Sequence, residues 1–232
     1  MLWPETAQVV QAPITGAFTL RHDQGTVAPF TLSERDLSAV SGELTWRPAD
    51  PVQLSASWRV LSARDAAGTR ITGPGDLQLT TQARLWTLPS QASALWIHWE
   101  LKLPNAEPPL GTDETDTALG LWSRTERERL RWDLGAFLWI AGHPHQLNAQ
   151  DDALLLRARV YVPAGPGEAL VATDWRVQSP RNPHDASVRV GWALPLRGPV
   201  QVGATGGFGL TPAAPDWQAG LWLGLVPPGD GV

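Results

Sequence analysis

The chain has 232 residues, 18 basic against 23 acidic side chains, a net charge of −5, and a body that is 43% hydrophobic but only 18% charged. That length fits one or two domains. The absence of cysteine excludes a disulfide framework, thiolate metal sites, a cysteine nucleophile and a CxxC redox pair, and a mildly acidic balance with no Lys/Arg cluster argues against a nucleic-acid partner. The aromatics are lopsided, with 13 tryptophans against one tyrosine and four phenylalanines. Trp is bulky, carries an N–H that needs a partner in a soluble core, and is at home at a membrane interface. Lys102 is the sole lysine. No stretch of eighteen apolar residues exists, so no helix is expected to span a bilayer. The start, Met1-Leu2-Trp3-Pro4-Glu5, shows neither the basic nor the apolar region of an export signal.

The 22 glycines and 21 prolines are scattered rather than pooled in a linker, which argues for a single domain over 1–232 with a short lead over 1–13. Between them, apolar and polar side chains alternate with the period of a strand. In chain order the pattern predicts strands at 14–22, 40–48, 52–62, 76–87, 93–103, 117–124, 129–140, 153–162, 168–178, 185–195, 199–210 and 216–226. The clearest is Leu95 to Leu103, where Leu95, Ile97, Trp99, Leu101 and Leu103 oppose Trp96, His98, Glu100 and Lys102. The connections alternate between long (23–39, 63–75, 104–116, 141–152) and short (49–51, 88–92, 125–128, 163–167), a contrast that fades in the last third. Twelve strands joined in this way, with both termini at the short-turn end, describe an even-stranded up-and-down outer-membrane barrel.

Alternation alone does not decide which face is wet. A soluble barrel or sandwich turns its apolar face inward, whereas a membrane barrel turns it to lipid. Trp46, Trp58, Trp99, Trp132, Trp175, Trp192 and Trp217 all fall on the apolar face, and seven indoles converging on one soluble core would be hard to pack. The strands also match the roughly 9 to 11 residues that a tilted strand needs to cross a bilayer. The all-β transmembrane barrel is therefore favoured over a soluble β-barrel or sandwich that binds a lipid-like ligand.

Residues 73–123 sharpen this reading. Gly73-Pro74-Gly75-Asp76-Leu77-Gln78-Leu79 opens a strand, Leu101-Lys102-Leu103-Pro104-Asn105-Ala106 ends the next, and the acidic loop Gly111 to Asp116 leads into Ala118-Leu119-Gly120-Leu121-Trp122-Ser123. In order and spacing this resembles the bacterial outer-membrane β-barrels described as transporters of the phenol-degradation meta-pathway type. Asn105 stands where that family often has threonine, and Val226 to Val232 lack a terminal aromatic. The resemblance implies an outer-membrane channel or transporter for a small, hydrophobic or aromatic solute, with outer-membrane lipid around it.

With the polar faces inward, Gln78, Gln82, Arg84, His98, Glu100, Lys102, Arg131, Asp133, Arg157, Arg159, Asp174, Arg176 and Arg189 line the lumen, and Trp86 and Trp96 narrow it. These residues read either as a polar conduit or as an ion-paired plug that satisfies a narrow interior. The expected constriction has Arg131, Arg157 and Arg159 held by Glu100, Asp133 and Asp174. His143-Pro144-His145 and the acidic Asp113, Glu114 and Asp116 read as solvated loops before they read as metal sites. No GxSxG elbow, HExxH or phosphate-binding glycine loop is present. An outer-membrane hydrolase using His98 with Ser55 or Ser57 stays a minor alternative, and no cofactor is expected.

Overall fold

The computed structural model describes residues 14–25, 35–49, 51–64, 68–88, 92–106, 110, 114–142, 152–178 and 184–225. Its strands are β1 (Ile14–Gly25), β2 (Arg35–Ala49), β3 (Val52–Arg64), β4 (Arg70–Pro74), β5 (Leu77–Leu88), β6 (Ser93–Leu103), β7 (Asp116–Arg127), β8 (Leu130–Ile140), β9 (Ala153–Ala164), β10 (Gly167–Gln178), β11 (Asp185–Pro195), β12 (Val200–Gly209) and β13 (Trp217–Leu225). Every pairing is antiparallel, chain neighbours pair in turn, and β1 closes the ring against β13. Both β4 and β5 pair with β3, so together they fill one of twelve places in the ring.

The break between them falls at Gly75 and Asp76, where the Gly75 N–H donates to the Arg59 carbonyl at 2.9 Å. Here the structure adds to the sequence reading, which places 63–75 in a loop. Arg70–Pro74 pair with β3 alone, as an edge extension standing beyond the ring, and Pro74 carries no N–H to continue the ladder.

Short turns join β2–β3, β5–β6, β7–β8, β9–β10 and β11–β12 at the end that also holds the start of β1 and the end of β13. Four of these turns carry left-handed residues, Gly165 at φ 61° and Gly198 at φ 68° and, less comfortably, Ala92 at φ 45° and Glu128 at φ 57°. Following the register once around the ring shifts it by about 14 residues, which for twelve strands means a tilt of about 40° and a backbone radius of about 11 Å.

The facing is inside-out relative to a soluble protein. Leu134, Val190 and Leu221 are 51%, 58% and 61% exposed on the outer face, with Leu119, Leu138, Val160 and Leu223 beside them. The side chains buried inside are mostly polar, or alanines. A lipid-like ligand in an apolar soluble core therefore has no place here, and the outer face is a lipid-facing band. Trp46, Trp132 and Trp192 each lie within three residues of a short-turn strand end, while Trp175 and Trp217 lie at the opposite end. This is the two-girdle placement of interfacial indoles. Trp99 Nε1 donates to Thr117 Oγ1 at 2.9 Å, which satisfies an indole N–H on the outer wall.

Candidate functional site

The interior is unequal. From β5 to β10 the inward positions carry large side chains, and from β11 to β13 they include Gly191, Gly203, Gly207, Gly209, Gly220 and Gly224.

On the thick wall, Phe137 lies across two glycines. A Cβ added at Gly135 would meet its ring at 2.6 Å, and one at Gly120 would meet it at 2.5 Å. His98, 1% exposed, packs edge-on against that ring at 4.9 Å. His98 Nδ1 lies 3.1 Å from Gln82 Nε2, and its Nε2 lies 3.5 Å from Glu100 Oε2. Arg157 stacks over the other side of Phe137 at 5.0 Å. Trp96 and Trp122 face one another at 6.3 Å, with Arg84 over the first at 5.7 Å and Arg124 over the second at 4.9 Å. Arg131 covers Tyr161 at 3.8 Å, and Arg176 covers Trp139 at 5.9 Å. Guanidinium on aromatic is thus the repeated unit of this wall.

The ion pairs differ in part from those expected. Asp133 is gripped by the fork of Arg124, at 3.0 and 3.1 Å, and Arg131 reaches Glu168 at 2.9 Å. Asp174 takes Arg157 at 3.4 Å together with Arg189, and Glu100 lies 3.5 Å from His98. The expectation grouped Arg131, Arg157 and Arg159 with Glu100, Asp133 and Asp174; Arg157 with Asp174 belongs to that set, whereas Arg131 goes to Glu168, and neither Arg124 nor Glu168 was in it. A turn placed at Glu128-Arg129 sets Arg124 opposite Asp133; the sequence reading began that turn three residues early.

Trp86 is a correction. A register shift between Arg84 and Trp86 pairs Trp86 with Leu95, an outward residue, and leaves it 60% exposed. The bulge inserts one residue and flips every side chain after it. Trp86 therefore joins Trp46, Trp132 and Trp192 near the short-turn ends and does not narrow the lumen. Trp96 lies on the unbulged partner strand β6, pairs with Arg84 just before the shift, and keeps its inward place.

The residues that carry the family resemblance meet at the long-loop end. Lys102 Nζ lies 2.6 Å from Asp116 and 3.5 Å from Asp76. Asp76 accepts the Asn105 and Ala106 N–H groups, both at 3.1 Å, and Asp116 accepts that of Gly142 at 3.0 Å. The motif is a clamp: one cation between two carboxylates pins the bases of two loops to the barrel rim. Asp116 is thereby committed to the clamp rather than to a metal. Gln78, next on β5, is buried and accepts from Ser57 at 3.4 Å, and Ser55 bonds Thr45 at 2.8 Å. His143, His145, Asp113 and the segments 1–13 and 226–232 lie outside the described residues.

On the thin wall, glycines let neighbours lie flat. The Gly203 Cβ position is filled by the Trp222 indole, and that of Gly207 by the stem of Arg189, 2.7 Å away at Cγ. Thr205 is half-buried between them, and the 210–216 connection folds back so that the Gly209 N–H donates to the Pro215 carbonyl at 2.8 Å.

A closed antiparallel ring, apolar outside and charged inside, is a transmembrane β-barrel. No protein-family model matches the chain, and no curated protein matches it either. Among solved structures, the COG4313 outer membrane channel from Pseudomonas putida F1 superposes with a TM-score of 0.72, over 97% of this chain and 99% of that one, at 13% identity. The beta domain of the Bordetella autotransporter Brka gives 0.52 over 92% and 98%, also at 13% identity. These likenesses carry the fold, a twelve-place up-and-down barrel of the outer-membrane kind.

Proposed function

We propose that the protein is a channel in the outer membrane of a diderm bacterium, passing a small solute that has an aromatic or apolar part. The single observation that carries this reading is the unequal interior. From β6 to β10 the inner face carries large aromatic and charged side chains, while from β11 to β13 it carries six glycines beside Thr205, with Trp222 and Arg189 laid flat on them, so on this reading a twelve-stranded ring of about 11 Å backbone radius keeps a passage beside the thin wall. The aromatic faces of Trp96, Trp122, Phe137 and Tyr161, together with the resemblance of residues 73–123 to barrels of the phenol-degradation meta-pathway type, support the choice of solute. On this reading His98 is a packed strut, held by Gln82 and Glu100, and not a general base. The test is reconstitution of the full chain in planar bilayers. Discrete conductance steps are expected, with swelling of liposomes by small solutes. A folded, inserted barrel with neither property would be a plugged scaffold, and the channel reading would fall.

A further inference from the structure

Charge is divided unevenly around the inner face. With β4 and β5 sharing one place, β2 stands second of twelve and β9 eighth, so the two strands face each other across the lumen. Residues at one height are not those that pair directly, because the tilt offsets each strand from the next. The register shift of about 14 residues per circuit becomes about seven over half the ring. From Glu43 the ladders run through Ala17, Gly224, Gln201 and Pro195 toward β10 and β9, and the offset sets Glu43 level with Ala158. Its neighbours Arg157 and Arg159 point inward. A carboxylate and two guanidinium groups therefore oppose one another near mid-barrel.

Around Glu43 the wall carries hydroxyls and a second acid. Thr45 Oγ1 donates to Glu43 Oε1 at 3.2 Å and shares a hydrogen bond with Ser55 Oγ at 2.8 Å. The charge that acts on Glu43 is that of Glu100 on β6, itself 3% exposed. Glu43 is partly exposed inside the barrel, so it borders the lumen. On the far side, Arg124, Arg157, Arg159 and Arg189 are set against Asp133 and Asp174. Among the described residues, four guanidiniums against two carboxylates leave the β7–β11 wall net positive, whichever partner each arginine takes. Glu43 and Glu100 leave the facing wall negative at this level; Arg59 and Lys102 lie nearer the long-loop end, and Arg84 lies nearer the short turns.

We propose that this level is a filter for small zwitterions: a solute carrying one ammonium and one carboxylate passes with its ammonium turned to Glu43 and its carboxylate to Arg157 and Arg159. Opposed fixed charges set a field across the lumen, and low-dielectric walls focus it on a passing dipole. A neutral solute of the same size gains nothing from that field, and a simple ion is drawn to one wall and repelled by the other. The filter rests on the channel reading and adds the class of solute to it.

Alanine and lactamide are the probes, isomers that differ in charge separation and not in size. Liposomes carrying the full-length barrel should swell about threefold faster in alanine than in lactamide. Glu43→Gln removes one pole and should bring that ratio close to one. In planar bilayers under a potassium chloride gradient it should also move the reversal potential toward anions. Glu43→Asp keeps the charge and should keep the ratio. Arg157→Gln weakens the opposite pole, so it should lower the ratio as well, and it carries the test if Glu43→Gln does not fold. Equal swelling of the wild type in both isomers, or an unchanged ratio in folded Glu43→Gln or Arg157→Gln, would overturn the filter and leave the channel standing. Swelling in neither isomer by a folded, inserted barrel would overturn both.

Discussion

The two walls of this barrel solve the same geometric problem with opposite residues. From β6 to β10 the inward row is Trp, His, Phe, Arg and Tyr, and glycine appears there only as the bed on which Phe137 lies, at Gly120 and Gly135. From β11 to β13 glycine recurs on the inner face itself, and the large residues it admits, Trp222 and Arg189, are laid flat against the sheet. A ring of fixed circumference can be rigid on one side and open on the other only if side-chain volume is distributed this unevenly. The thick wall carries the stacked aromatics and most of the paired charge, and the thin wall carries the glycines.

The largest expected effect comes from unbalancing the thick wall. Asp133→Ala removes a carboxylate that is 3% exposed and leaves Arg124 and Arg159 facing one another. It should cost about 3 to 5 kcal/mol in denaturant unfolding from detergent micelles. A loss below about 1 kcal/mol would mean that water in the lumen, not the protein, solvates this row.

Next comes the outer face of the same wall. Leu134→Arg and Leu156→Arg place a charge in the lipid band and should each cost about 2 to 4 kcal/mol. The inward Gln82→Arg should cost far less. The reverse order would turn the barrel outside-in.

The thin wall is tested more gently. Gly203→Ala puts a methyl group where the Trp222 indole lies, so the ring must lift into the passage. Overpacking of this kind costs about 1 to 3 kcal/mol, and single-channel conductance should fall with it. Unchanged conductance would show that Trp222 does not border the conducting path.

The smallest effect belongs to the turn that sets the register of the thick wall. Glu128 holds a left-handed conformation at φ 57°, so Glu128→Gly should stabilise the barrel by up to about 1 kcal/mol. Destabilisation would mean that the Glu128 side chain contributes more than its backbone strain costs.

These tests also mark what could be read from the chain. The strand pattern was legible because lipid on one side and a polar lumen on the other force a strict two-residue period. Leu95 to Leu103 shows this most plainly, and its observed bounds, Ser93–Leu103, match the expectation at both ends. The extension Arg70–Pro74 was hidden by Gly73-Pro74-Gly75, which carries a turn signature. Trp86 was misplaced because a bulge leaves no mark in a hydrophobic pattern; the inserted residue is visible only in the pairing with β6. Ion-pair partners were harder still. Each depends on register across a hairpin, so beginning the β7–β8 turn three residues early was enough to hide Arg124 from Asp133.

The central claim is that a passage runs along the thin wall and not through the thick one. A chain without cysteine makes the direct measurement clean: place single cysteines at Thr205 on β12 and at Ala118 on β7, insert each barrel in a bilayer, and add a membrane-impermeant thiol reagent. Thr205→Cys should be modified within the lumen and its conductance should drop by half or more, while Ala118→Cys, at a position 2% exposed, should keep its current. Equal block at both positions, or block at Ala118 alone, would contradict the account.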